Sequence, residues 1–185
     1  ISCPPWCGEY RLIQHRSTNS HMAEVSNSNL YQLNAGTHDF SGACVVLVRT
    51  EWNAAIVDEL EKGCRKTLEA FAVKEIITIT VPGAVEIGFG IRSYWEAKKY
   101  WDDRPHAFIA LGCVIKGDTP HFDYICEGVT NGIMQVSLSQ GKPIGFGVLM
   151  CNTLKQARDR AGFTDSNEDK GFDAAIAAIN SALNY

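Results

Sequence analysis

Four short apolar runs, 43–49, 76–81, 107–115 and 144–150, alternate along this chain with segments whose apolar residues recur every three or four positions. Runs of this length, rich in Val and Ile with little polar alternation, suit strands covered on both faces. The intervening segments carry helical stripes. Ile56, Leu60, Cys64, Leu68 and Phe71 form the first, and Ile87, Ile91 and Trp95 lie within a second that runs from Val85 to about Trp101. After Thr119 come Phe122, Ile125, Val129, Ile133 and Val136, closed by Gly141 and Pro143. A short helix over 153–161 and a last one over 172–183, with Phe172, Ile176, Ile179 and Leu183 aligned, complete the pattern. Regular strand–helix alternation predicts a three-layer α/β/α sandwich around a four-stranded parallel sheet with right-handed crossovers. So small a sheet leaves exposed edges, which points to oligomerisation.

A chain of 185 residues suits one domain, which we place over 23–185. Residues 1–22 lack periodicity and end in His21-Met22, a junction common in vector-encoded leaders; they read as such a leader or as a disordered extension. Residues 23–40 are polar and rich in Asn and Ser, and are expected to order near Tyr31 by pairing with a neighbouring subunit. A formal charge of -4 and the lack of any dense Lys/Arg tract argue against a nucleic-acid partner. No apolar run approaches the roughly 20 residues of a membrane span. We therefore expect a soluble, cytoplasmic protein. Of seven irregularly spaced cysteines, Cys44, Cys64, Cys113, Cys126 and Cys151 read as buried thiols. Cys3 and Cys7 alone form a close pair, too weak a pattern to predict a metal site.

The third strand runs into the most informative stretch, Leu111-Gly-Cys-Val-Ile-Lys-Gly-Asp-Thr-Pro-His-Phe-Asp-Tyr124. Thr119 stands where an N-cap belongs and Pro120 at the first helical position, which puts His121 in the first turn beside unpaired N–H groups that attract anions. An imidazole, the cation Lys116 and a phosphate cradle thus gather at the carboxyl end of a strand, where open α/β sheets place their chemistry. Other polar groups cluster near the same strand ends: Trp52 and Asn53, Gly83, Ala84 and Glu86, then Arg158 and Arg160, and Lys170 with Asp173. Singly, each has a plainer explanation: Trp52 as core, Glu86 as a helix-dipole partner, Arg160 as a solvated charge. Glycine-rich nucleotide loops, the G-x-S-x-G elbow and zinc signatures are absent from the sequence. Gly145 and Gly147, inside the fourth strand, read as sites of close backbone packing.

Three runs, Val81-Pro-Gly-Ala-Val-Glu-Ile87, Ala110 to Tyr124, and Phe146-Gly-Val-Leu-Met150 followed by Thr153 to Ala157 and Arg160-Ala-Gly162, resemble the 6,7-dimethyl-8-ribityllumazine synthase family. The likeness extends from about Asn34 to the C-terminus. It implies a flavodoxin-like fold and condensation of 5-amino-6-(D-ribitylamino)uracil with 3,4-dihydroxy-2-butanone 4-phosphate, the penultimate step of riboflavin biosynthesis. It also implies no cofactor, no metal, and assembly as a homopentamer or a 60-subunit shell with each site shared between neighbours. Carried over by position, the resemblance puts Trp52 against the pyrimidine ring and Asn53 on the ring or ribityl chain. Gly83, Ala84 and Glu86 hold the ribityl chain, and Val114, Ile115 and Lys116 line the pyrimidine pocket. Asp118 and Thr119 form the phosphate turn, and His121 is the catalytic imidazole. Phe146, Arg160 and Lys170 come from the neighbour, with Asp173 near that arginine.

Departures from the family pattern are Val85 before the glutamate, the acid Asp118 after Gly117, and longer segments at 100–104 and 163–169; the last favours free pentamers over a shell. Two other classes are compatible with the same residues. A flavin-binding module predicts retained yellow colour and tolerance of His121→Ala, and a scaffold predicts assembly without turnover. An archaeal-type riboflavin synthase would share the fold but act on two lumazines.

Overall fold

The computed structural model describes residues 40–184. The leader, the 23–39 arm, and Cys3 and Cys7 lie outside the described residues. Ten elements follow the alternation read above: β1 (Cys44–Thr50), α1 (Ala54–Ala70), β2 (Glu75–Val81), a single 3₁₀ turn (Ala84–Glu86), α2 (Ile87–Lys98), β3 (Ala107–Ile115), α3 (His121–Gln140), β4 (Ile144–Cys151), α4 (Leu154–Arg158) and α5 (Lys170–Asn184). All strand pairs are parallel, in the order β2-β1-β3-β4.

The period-two geometry of a strand divides the core into two halves. Val45 and Leu47 of β1, with Ile109 and Leu111 of β3, pack against Leu60, Cys64 and Leu68 of α1 and against Ala174, Ala178 and Ile179 of α5. Val46, Val48, Phe108 and Ala110 pack on the other face, against Ile87 and Ile91 of α2 and Val129 and Ile133 of α3. The two inner strands, β1 and β3, are the ones buried on both faces. β2 is only partly buried along its length, contrary to the expectation of full cover, because it forms a sheet edge.

Gly145 behaves as expected: a Cβ there would lie 2.2 Å from the carbonyl oxygen of Ala174, so only glycine lets α5 press onto β4. Gly141 ends α3 in the left-handed conformation (φ 62°), which glycine adopts without steric penalty. Several helix boundaries differ from the sequence reading. The segment after Pro82 begins as a 3₁₀ turn, and α2 stops at Lys98; Tyr100 and Trp101 then sit under the ammonium groups of Lys99 and Lys98, at 5.0 and 4.9 Å. The last helix starts earlier, at Lys170, because the carboxylate of Asp169 accepts the Phe172 N–H (2.9 Å) as an N-cap.

At the amino-terminal end of the sheet, the Cys44 backbone N–H donates to Nδ1 of His106 (3.1 Å). Burial, then Lys142 and Arg104, hold this imidazole below its ordinary pKa, and the accepted hydrogen bond also needs Nδ1 unprotonated. A depressed histidine pKa contributes stability above the unfolded value of about 6.5, lost as pH falls from there through the folded value. Thermal melts should therefore show Tm declining below that pH, with a flatter profile in His106→Gln. Identical profiles for the two proteins would refute the assignment.

Candidate active site

β1 and β3 are adjacent, and their connections leave in opposite directions, to β2 on one side and β4 on the other. The crevice at the carboxyl ends of strands so arranged is where ligands enter this class of sheet. A cavity of about 590 Å³ opens there, lined by loop residues after β1, β2 and β3 and by the start of α3.

From the β1–α1 loop come Trp52 and Asn53. Trp52 is 75% exposed, which discards its reading as core. Asn53 takes the left-handed conformation (φ 58°) immediately before α1, a region asparagine tolerates better than most residues. Its Nδ2 donates to the Cys113 carbonyl (2.8 Å), tying this loop to β3 and leaving Oδ1 available as an acceptor. The buried Thr50 hydroxyl donates to the Trp52 carbonyl (3.2 Å), and the Glu51 N–H to the Val81 carbonyl (3.0 Å), which fixes the loop on both sides.

Pro82, Gly83, Ala84, Val85 and Glu86 form the second wall. The 3₁₀ turn closes with the Glu86 N–H on the Gly83 carbonyl (3.2 Å) and leaves the Glu86 side chain on the cavity surface. Cys113, Val114 and Ile115 line the wall given by the end of β3. Burial, with a smaller contribution from Cys151, pushes the Cys113 thiol up to about 12, so it acts as a small apolar surface and not as a nucleophile.

Gly117, Thr119, His121, Phe122 and Ile125 complete the lining. The helix begins one residue later than the sequence suggested: Pro120 is the flanking residue and His121 the first helical one, with no side chain capping the start. Thr119 therefore lines the cavity without serving as the cap, and the first N–H groups of α3 stay open to an external acceptor. Phe122 and Ile125, read from periodicity as core, are only half-buried because the first turns of α3 overhang the cavity. With Cys113, Gly117, Pro82 and Val85 they are the lining residues not assigned to the site from the sequence. All but Ile125 fall within two of the motif runs quoted above, and all stand near strand ends.

Of the residues expected at the site, Trp52, Asn53, Gly83, Ala84, Glu86, Val114, Ile115, Thr119 and His121 meet in this cavity. Asp118 lies on the loop between Gly117 and Thr119 but not on the lining, and Lys116 lies outside it with its ammonium 5.9 Å from the Phe122 ring. Phe146, Arg160 and Lys170 are elsewhere in the same chain. Phe146 is 41% exposed on β4, opposite Ala110, well before the strand ends that form the cavity. Arg160 donates to the Gln156 carbonyl (3.1 Å) and faces Glu168 at 3.8 Å; Lys170 pairs with Glu168 (2.6 Å) and Asp173 (2.9 Å). The lining is thus largely apolar, with an aromatic plate at the mouth and a few convergent polar groups, the make-up of a site for a planar, polar ligand.

The sequence compared with known proteins carries the same signal. A family model described as 6,7-dimethyl-8-ribityllumazine synthase matches residues 42–184. Proteins of that name are similar over most of their length. The relative from Thermobifida fusca is 45% identical over 147 residues, 80% of this chain and 82% of the relative. That from Streptomyces coelicolor is 42% identical over 138 residues (75% and 82%), and one from Mycobacterium leprae 43% over 145 residues (78% and 86%).

Proposed function

Because the chain belongs to the 6,7-dimethyl-8-ribityllumazine synthase family, we propose that the cavity between Trp52 and His121 is where its condensation takes place. The chain is a transferase of riboflavin biosynthesis, joining 5-amino-6-(D-ribitylamino)uracil to 3,4-dihydroxy-2-butanone 4-phosphate with release of phosphate and water. The observation that carries the site assignment is the meeting, in one cavity, of the aromatic plate, the Glu86 carboxylate, the imidazole and the uncapped start of α3.

The pyrimidine ring stacks on Trp52 over the apolar wall of Val114 and Ile115, with Lys116 at the pocket's edge. Asn53 offers Oδ1 to the ring or ribityl chain, and Gly83, Ala84 and Glu86 hold the ribityl hydroxyls. The phosphate rests on the Asp118–Thr119 turn, where backbone N–H groups do the binding and the Asp118 carboxylate turns away. Amine attack on the ketone gives an imine with loss of one water; a proton then leaves carbon, phosphate is eliminated, and ring closure onto the remaining carbonyl expels a second water. His121, at the rim between ring and phosphate, moves protons in these steps as a general acid and base. Holding the amine against the ketone is the protein's other contribution.

Phe146, Arg160 and Lys170 complete the pocket of an adjacent copy in a homopentamer, which is the minimal active unit in the cytoplasm. The 163–169 segment favours free rings over a shell of sixty subunits. The guanidinium fork of Arg160 suits a phosphate because it presents two parallel donors. Purified protein should form the lumazine and release phosphate from the two substrates, with no change on adding EDTA. A folded sample inert towards both would overturn the assignment, and one that keeps a bound flavin without turnover would recast the cavity as a binding module.

A further inference from the structure

Glu168 stands between Arg160, assigned above to a neighbour's phosphate, and Lys170, assigned to the same neighbour's pocket. Its Oε2 lies 2.6 Å from Lys170 Nζ, and its Oε1 faces Arg160 Nε at 3.8 Å, so one carboxylate spans the guanidinium and the ammonium. A phosphate bridging the same pair would place two oxygens in the same way. The spanning is unequal. The contact to Lys170 is a hydrogen-bonded ion pair, whereas 3.8 Å is too long for a hydrogen bond to Arg160. Arg160 is anchored on the protein side through Nη1 and the Gln156 carbonyl, and Lys170 through Asp173, so both cations remain oriented if Glu168 swings away.

The backbone supports such a movement. Asp159 accepts the N–H groups of Asn167 and Glu168 (both 3.1 Å), Gly162 donates to the Glu168 carbonyl (3.1 Å), and Lys170 donates to the Arg160 carbonyl (2.9 Å). The main chain at Glu168 is therefore pinned beside both cations while its side chain stays 40% exposed. Ion pairs at this exposure hold weakly, and an incoming dianion can exchange with the carboxylate.

We propose that Glu168 is a positioning residue that acts as an internal anion, occupying the Arg160–Lys170 pair until phosphate displaces it and re-entering as phosphate leaves. This rests on the reading of Arg160 as a phosphate ligand and takes Lys170, held beside it by Glu168, as its second cation. The internal anion keeps the two cations together in the empty site and keeps phosphate affinity low enough for product release.

The test uses the full-length protein and inorganic phosphate as the probe, measured as a competitive inhibitor against the butanone phosphate. Glu168→Gln keeps the shape and removes the charge; the phosphate inhibition constant should fall about 3- to 5-fold, together with the KM for the butanone phosphate, without a rise in kcat. Asp165→Asn, an exposed acid in the same loop, is the control for loss of surface charge alone. Equal tightening in both variants, or unchanged or weaker phosphate inhibition in Glu168→Gln, overturns the proposal. Arg160→Gln separates the two levels: if it leaves phosphate inhibition unaltered, the phosphate reading itself fails and Glu168 falls with it. If it weakens phosphate while Glu168→Gln has no effect, only the internal-anion role is lost.

Discussion

Replacing His121 with alanine should lower kcat by about 10²-fold, with far smaller changes in KM for either substrate. The imidazole sits at the first residue of α3, on the surface of the cavity and beside the uncapped helix start, where the proposed mechanism calls for a proton carrier. Removing it deletes a proton carrier but leaves Trp52, the Asn53–Cys113 tie and the 3₁₀ wall to hold the substrates. Activity should persist at a reduced level, because positioning alone accelerates a condensation between two reactive partners. Steady-state kinetics on the variant decide the matter: an unchanged kcat would remove His121 from the mechanism, and a large rise in KM with kcat intact would make it a binding group.

Subunits that are each disabled should rescue one another when mixed. Arg160→Ala is expected to weaken use of the butanone phosphate by about 1.5–3 kcal/mol, the usual loss of a hydrogen bond to a charged group, seen as a KM about 10- to 100-fold higher. Within one chain the cavity lacks Phe146, Arg160 and Lys170, which lie respectively on β4, after α4 and at the start of α5. If they serve the adjacent copy, a site between an Arg160→Ala subunit and a His121→Ala subunit is intact in one of its two orientations. Random co-assembly then restores function to about a quarter of the sites. Denaturing the two variants together and refolding them should raise activity well above that of either alone, with sedimentation confirming ring-sized particles. Absence of rescue in properly assembled mixtures, or full activity in a monomeric fraction, would contradict the shared site.

The strand–helix alternation was legible because both periodicities were strong. The doubly buried β1 and β3 read as near-continuous apolar runs, and Ile56, Leu60, Cys64 and Leu68 marked one helix face. Gly145 announced a close approach, and Ala174 provides it. Boundaries were less legible, since they turn on single hydrogen bonds. Asp169 extends α5 by capping it, a role that charge patterning did not reveal. The half-burial of Phe122 and Ile125 was hidden for another reason: periodicity marks an apolar face but not whether that face meets a core or a cavity.

By itself the sequence determined the order and type of the elements, the motif that begins α3, and the family, because these depend on local chemistry and on patterns read along the chain. Tertiary structure alone decided the rest. It set the strand order β2-β1-β3-β4, which puts the loops after three strands around one cavity. It left β2 at an edge, half-covered, and joined Asn53 to Cys113 across 60 residues of chain. It also separated Arg160, Lys170 and Phe146 from the cavity and placed Glu168 between the two cations. These are contacts between residues far apart in sequence, fixed by which faces pack together, and no local propensity encodes them.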